Sequence, residues 1–151
     1  RTIPVLRADN FSVGVVLMRM LARKAAEVLG QQADVEIIEA HHRRKVDAPS
    51  GTALAIGRSV AQGLGVDLQD HADWTRYGQV GPRGEGQIGF SVIRGGDIVG
   101  EHTALFAMDG ERVELTHRAT DRMIFARGAA RAAAWLGSQP PGLYELEDLM
   151  R

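Results

Sequence analysis

The chain has no cysteine. Disulfides, thiolate nucleophiles and zinc sites with sulfur ligands are therefore excluded. The absence suits a reducing compartment such as the cytoplasm. Excess charge is also lacking, because 18 lysines and arginines against 19 acids leave a formal net charge of −1. No overall charge recruits nucleic acid or an acidic membrane, so any anion site must come from local clustering. Aromatics make up 5% of the residues, and none interleaves with the basic run described below. That argues against a nucleic-acid partner. No apolar run approaches the ~20 residues of a membrane-spanning helix, so no membrane partner is expected either. A length of 151 residues suits one domain with its own core, or one domain plus a fragment of another.

What is present is concentrated in one stretch, Glu39-Ala40-His41-His42-Arg43-Arg44-Lys45-Val46-Asp47-Ala48-Pro49-Ser50-Gly51-Thr52-Ala53. It combines two histidines, three basic side chains, a proline-serine-glycine turn and a helix start. Such a segment packs a core poorly and holds a small anion well. Gly51 and Thr52 at a helix start offer unpaired backbone N–H groups and a hydroxyl, at the positive end of the helix dipole. Lys45 adds a mobile charge and can donate a proton. His41 and His42 sit at a strand end, with rings expected on opposite sides. Histidine serves as general acid or anion ligand near neutral pH. Asp47 can orient Lys45 or cap the turn. Each part alone has an ordinary reading: a surface histidine pair, a solvated charged turn, a helix-start turn. A metal site would need a third ligand, and His71, His102 and His117 stand at no recognisable ligand spacing, so no metal is expected.

The rest of the chain reads as alternating elements. Thr2 to Leu6 is expected to be a short strand that starts abruptly, as in a chain cut from something longer. Val13 to Leu29 has helical apolar spacing after Asn10-Phe11-Ser12, which can cap it, and Gly30 can end it. Asp34 to His41 is a strand candidate. Ser50 or Thr52 can cap a helix running to about Leu64. Residues 66–87 read as a long polar loop. Ile88 to Arg94, Ile98 to Phe106 and Arg112 to His117 are strand candidates joined by hairpins at Gly95-Gly96-Asp97 and Asp109-Gly110. Asp121 can cap a helix from Arg122 to Leu136, and the tail Leu143 to Met150 reads as a short helical turn. The expected class is α+β, with a mixed sheet of about four strands and flanking helices.

The loop from Glu39 to Ala53 closely resembles the signature of dihydrodipicolinate reductases, the 4-hydroxy-tetrahydrodipicolinate reductases of bacterial lysine and diaminopimelate synthesis. A histidine pair is followed by a lysine four residues after its first member, then by Asp-x-Pro-Ser-Gly-Thr-Ala. The resemblance continues in Asn10-Phe11-Ser12-Val13-Gly14, in Arg94-Gly95-Gly96-Asp97-Ile98-Val99-Gly100-Glu101-His102-Thr103 and in Glu114-Leu115-Thr116-His117-Arg118-Ala119. It implies His41 as proton donor/acceptor, Lys45 as proton-donating lysine, His42 as substrate ligand, and Gly51-Thr52 as the grip on a substrate carboxylate. Ala8, Asp9, Asn10 and Phe11 match the segment that touches the nicotinamide end of the cofactor, although Asp9 departs from the family's usual small residue or proline. Arg122 is expected near the cofactor or the domain hinge.

The same resemblance implies NADH or NADPH as cofactor, a cyclic dicarboxylate as substrate, a cytoplasmic homotetramer, and a glyceraldehyde-3-phosphate-dehydrogenase-like C-terminal domain with remnants of a Rossmann domain. It divides the chain into residues 1–11 as a late strand of the dinucleotide-binding domain, 12–121 as the substrate-binding and tetramerisation domain, and 122–151 as a returning helix. No Gly-x-Gly-x-x-Gly turn follows a strand and opens a helix here. Gly84-Glu85-Gly86 and Gly95-Gly96 lie among the expected hairpins. The expectation is therefore a substrate-domain fragment without turnover of its own. The alternative is a non-catalytic binding or assembly module whose basic loop grips a phosphate or carboxylate effector.

Overall fold

The computed structural model describes residues 2–150, so Arg1 of the expected segment 1–11 and Arg151 of the expected segment 122–151 lie outside the described residues. In chain order the elements are β1 (Pro4–Arg7), α1 (Val13–Leu29), β2 (Asp34–His41), α2 (Gly51–Leu64), α3 (Leu68–His71), β3 (Ala72–Asp73), β4 (Ile88–Arg94), β5 (Gly100–Met108), β6 (Glu111–Ala119), α4 (Met123–Leu136) and β7 (Gly142–Glu145). Short 3-10 turns follow α1 at Gly30–Gln32 and β7 at Leu146–Met150. This is the expected α+β class, a mixed sheet flanked by helices.

The main sheet has the order β3-β4-β2-β5-β6. Strand β2 lies parallel to β4 and antiparallel to β5. The expectation that β4, β5 and β6 follow one another by hairpins is corrected here: only β5 and β6 pair as a hairpin, and β2 lies between β4 and β5. The reason is the length of the link. Crossing one strand means spanning two inter-strand spacings, about 10 Å, which the five residues 95–99 manage easily. The link passes the end of β2, where Gly95 N donates to His41 O at 2.9 Å and Arg43 N to Gly96 O at 3.2 Å. Residues that read as a hairpin turn thus become a brace beside the basic loop.

Alternation along β2 puts Val35, Ile37, Glu39 and His41 on the face covered by α1 and α2. Ile37, Ile56, Ile88 and Phe106 are fully buried there. Each such side chain contributes on the order of 1.5–3 kcal/mol relative to exposure. Ser12 caps α1 through Val15 N and Ser50 caps α2 through Ala53 N. Gly63 on α2 lets α1 approach closely, since a Cβ there would strike the Arg23 carbonyl.

Two further expectations are corrected. The 66–87 stretch contains α3 and β3, and the remainder is fastened rather than free. Arg76 Nη2 lies 2.7 Å from Glu36 Oε1, Arg83 pairs with Glu36 and Asp34, and Trp74 stacks on Phe90 with ring centroids 4.7 Å apart. The tail begins as a strand, not a helix. Strand β7 pairs in parallel with β1, with Val5 opposite Leu143, in a separate two-stranded sheet against which α4 packs. Nothing local in Gly142–Glu145 demands a strand; the unpaired edge of β1 supplies the partner. Gly84, Gly86 and Gly89 do fall at Gly-x-Gly-x-x-Gly spacing, but they lead into β4 and open no helix.

Candidate active site

The basic loop runs from the end of β2 to the start of α2. His41, the last residue of β2, is buried on the helix-covered face. Its Nδ1 lies 2.6 Å from Glu39 Oε2. Its Nε2 lies against Gly100 of β5, where a Cβ would approach to 3.0 Å. His42 turns elsewhere: Arg122 Nη2 donates to its Nε2 at 3.3 Å. A guanidinium only donates, so the neutral His42 ring carries its proton on Nδ1. Partial desolvation lowers the His42 pKa, and so does the positive charge of Arg122, Arg44, His41 when protonated, and Lys45.

Lys45 Nζ lies 2.9 Å from Asp47 Oδ1, the contact through which Asp47 orients Lys45. The lysine's hydrogen bond holds the Asp47 carboxyl below its ordinary value, against a smaller opposing effect of desolvation. The Ala48–Pro49 peptide is cis. It brings the chain to Ser50, whose Oγ accepts from Ala53 N at 3.1 Å and lies 3.1 Å from His102 Nε2. Gly51 and Thr52 therefore occupy the first turn of α2, with first-turn N–H groups free of intrahelical partners.

Burial pushes His102 down to about 4, with His41 as the next cause, so its ring is neutral at pH 7. The cross-strand partner of His102 is His117, whose Nε2 lies 3.4 Å from the Ser12 cap of α1. Burial lowers His117 as well. A pair of adjacent imidazoles on β5 and β6 thus touches the cap serines of α1 and α2.

The segment 8–11 is brought to the same place. Asn10 Nδ2 donates to Thr52 Oγ1 at 3.0 Å, and Asn10 Oδ1 accepts from Ser12 N at 2.7 Å. Ala8, Asp9 and Asn10 line a cavity of about 510 Å3 together with Arg7, Arg19 and Arg58. Asp9 pairs with Arg58 at 3.4 Å across it. Phe11 differs from its neighbours. Its side chain packs on the small cluster of Val16, Ala132 and Leu146, and its carbonyl lies so close to Gly128 that a Cβ there would collide.

The residues that sequence reasoning missed are Glu39 and Arg94. The Arg94 guanidinium forks onto Glu39, with Nη1 to Oε2 at 2.7 Å and Nη2 to Oε1 at 2.8 Å. The available signal was positional. Both charges stand at inward positions of strands whose other inward residues include Val35, Ile37, Ile88 and Phe90. Among the described residues no group of three or more His, Cys, Asp or Glu is placed to hold a metal.

The histidine pair, the Lys45–Asp47 ion pair and the start of α2 all lie between the end of β2 and the first turn of α2. The model of the family described as dihydrodipicolinate reductase, C-terminus, matches residues 14–150. The chain belongs to the dihydrodipicolinate reductase family. Its structure is also similar to a solved dipicolinate-bound dihydrodipicolinate reductase from Paenisporosarcina sp. TG-14, at 31% identity and a TM-score of 0.75. The match covers 97% of this chain and 55% of that reductase chain. The chain thus spans little more than half of the relative's length.

Proposed function

We propose that these residues form the dicarboxylate-binding half of a 4-hydroxy-tetrahydrodipicolinate reductase acting in lysine and diaminopimelate synthesis. The observation that carries the reading is that His41, His42, Lys45, Gly51 and Thr52 all lie between the end of β2 and the first turn of α2, with Asn10 hydrogen-bonded to Thr52. A cyclic dicarboxylate needs two anion grips. The first-turn N–H groups of α2 with the Thr52 hydroxyl supply one, and the cations around His42 and Lys45 supply the other. The relative's bound dipicolinate is a ligand of this class.

NADH or NADPH, when bound, supplies the hydride. Hydride adds to one ring carbon of a conjugated imine, and the adjacent carbon, left with enamine electron density, takes a proton. Lys45 or His41 delivers it in this reading. Asn10, hydrogen-bonded to Thr52, ties the segment facing the nicotinamide end to the carboxylate grip. The residues present fit one end of the cofactor. The 510 Å3 cavity at Ala8–Asn10 offers polar walls, but these residues include no glycine turn from a strand into a helix to seat a pyrophosphate. These 151 residues by themselves therefore bind the dicarboxylate without turning it over. An assay of NADH and NADPH oxidation with the cyclic imine checks this: no turnover is expected, and appreciable turnover contradicts it.

The division into segments 1–11, 12–121 and 122–151 belongs to the same reading. It is supported by the separate β1–β7 sheet and by α4 packing on β1. The uncovered face of the main sheet carries Ile38, Ile93 and Leu105 between polar residues, which suits the cytoplasmic homotetramer that the family resemblance implies. Light scattering should give four chains per particle, and a monomer at micromolar concentration would count against that assembly.

A further inference from the structure

Glu39 is a carboxylate only 1% exposed, in the middle of the main sheet. Burial on that scale, left uncompensated, would be strongly destabilising. It is compensated by four hydrogen bonds. Oε2 accepts from Arg94 Nη1 at 2.7 Å and from His41 Nδ1 at 2.6 Å. Oε1 accepts from Arg94 Nη2 at 2.8 Å and from Ser50 N at 2.9 Å. A carboxylate has about four acceptor positions, and all are occupied. Glu39 therefore has no lone pair left for a ligand, and it is neither a general base nor an anion sensor. Burial raises its pKa, but Arg94, His41 and the Ser50 N–H together outweigh burial and hold it below the ordinary value, so it stays ionised. Arg94 is not saturated by Glu39. Its Nη2 also donates to Asp47 O at 2.7 Å, in the loop that carries Lys45.

We infer that the Glu39–Arg94 ion pair is the positioning unit of this site, fixing the His41 tautomer and anchoring both the Lys45 loop and the start of α2. Three groups that are distant in sequence meet on it: His41 through Nδ1, Ser50 through its N–H, and Asp47 through its carbonyl. With Nδ1 committed to Glu39, proton exchange with a ligand runs through His41 Nε2. That nitrogen has room because residue 100 is glycine. The guanidinium is required for its fork, since an ammonium cannot bridge both carboxylate oxygens and the Asp47 carbonyl in one plane. Glu39 and Arg94 are positioning residues: Glu39 has no acceptor position to spare, and both Nη atoms of Arg94 are engaged by Glu39 and by the Ile93 and Asp47 carbonyls, leaving only its buried Nε–H without a partner. What the site binds rests on the function proposed above; the tautomer and the anchoring do not.

The test uses the 151-residue chain, with the His41 ring nitrogens read by two-bond 1H–15N correlation at a pH where the ring is neutral, and dipicolinate binding read by calorimetry. The native chain should show His41 protonated at Nδ1. Glu39→Gln should bring in the Nε2–H tautomer and weaken dipicolinate by roughly ten- to a hundredfold, the loss seen when an orienting carboxylate is removed from a metal-bound imidazole. Arg94→Lys keeps a charge beside Glu39, so the Nδ1–H tautomer should persist while dipicolinate binding still weakens. Native His41 protonated at Nε2 would overturn the inference, as would Glu39→Gln with unchanged tautomer and affinity. If Glu39→Gln does not fold, Arg94→Lys decides, and unchanged affinity there overturns it. If the native chain binds no dipicolinate, the proposed function fails, and the tautomer comparison still decides the positioning role.

Discussion

The end of β2 and the β1–β7 ribbon are both places where a strand meets the start or end of a helix, yet they are held in opposite ways. At the end of β2, a saturated carboxylate, a forked guanidinium, a capping serine and a neutral histidine close on one another, with Arg94 Nε and His102 Nδ1 buried beside them without partners. The ribbon has four residues per strand and one neighbour per strand. It leaves Ile3, Val5, Leu143 and Met123 at 63%, 41%, 52% and 51% exposure. The first region makes a rigid site out of interactions internal to these residues. The second presents apolar side chains that these residues do not cover.

The largest expected contrast comes from side-chain truncation. Ile37→Ala beneath the site removes a fully buried side chain from the main core and should cost about 2–5 kcal/mol in urea unfolding. Val5→Ala on the ribbon should stay within about 0.5 kcal/mol. Comparable costs at the two positions would break the comparison.

Acid sharpens the same contrast. His102 is neutral in the fold down to about pH 4 but charges near 6.5 when unfolded. Between those values the unfolded chain binds more protons, so stability falls as pH is lowered, by about 3 kcal/mol in total. His117, also lowered, adds in the same direction. Glu39, lowered as a carboxylate, loses its contribution only when the pH falls through its own depressed value. Urea unfolding from pH 7 to pH 4 should show this slope, and His102→Gln should flatten it. An equal slope in the variant would remove His102 from the account.

The smallest effect is at the cap. Ser50→Ala should cost about 1 kcal/mol and speed amide exchange in the first turn of α2, at Thr52 and Ala53. The ribbon should not respond. Faster exchange in β7 would mean that the two regions are coupled.

Much of this was legible in the sequence, and the reason differs from element to element. Helix α1 follows from its apolar spacing and the Ser12 cap, and β2 and β4 from short β-branched runs between turns, all local signals. Strand β7 exists because β1 offers it an edge, and no residue of Gly142–Glu145 records that partner. The placement of β2 between β4 and β5 is likewise a tertiary fact, since Gly95-Gly96-Asp97 reads as a hairpin turn whichever strand it skirts. Within the site, the loop that carries His41, His42, Lys45, Gly51 and Thr52 was visible because its chemistry is contiguous. Its support was not visible, because Glu39 and Arg94 are 55 residues apart and join only through sheet register.

The central claim is that the strand end grips a dicarboxylate. Titrating the 15N-labelled chain with dipicolinate and following amide shifts tests it directly. The account predicts saturable shifts at His41, His42, Lys45, Gly51 and Thr52, and weaker binding after Lys45→Ala. Shifts confined to other surfaces, or an affinity that Lys45→Ala leaves unchanged, would contradict it.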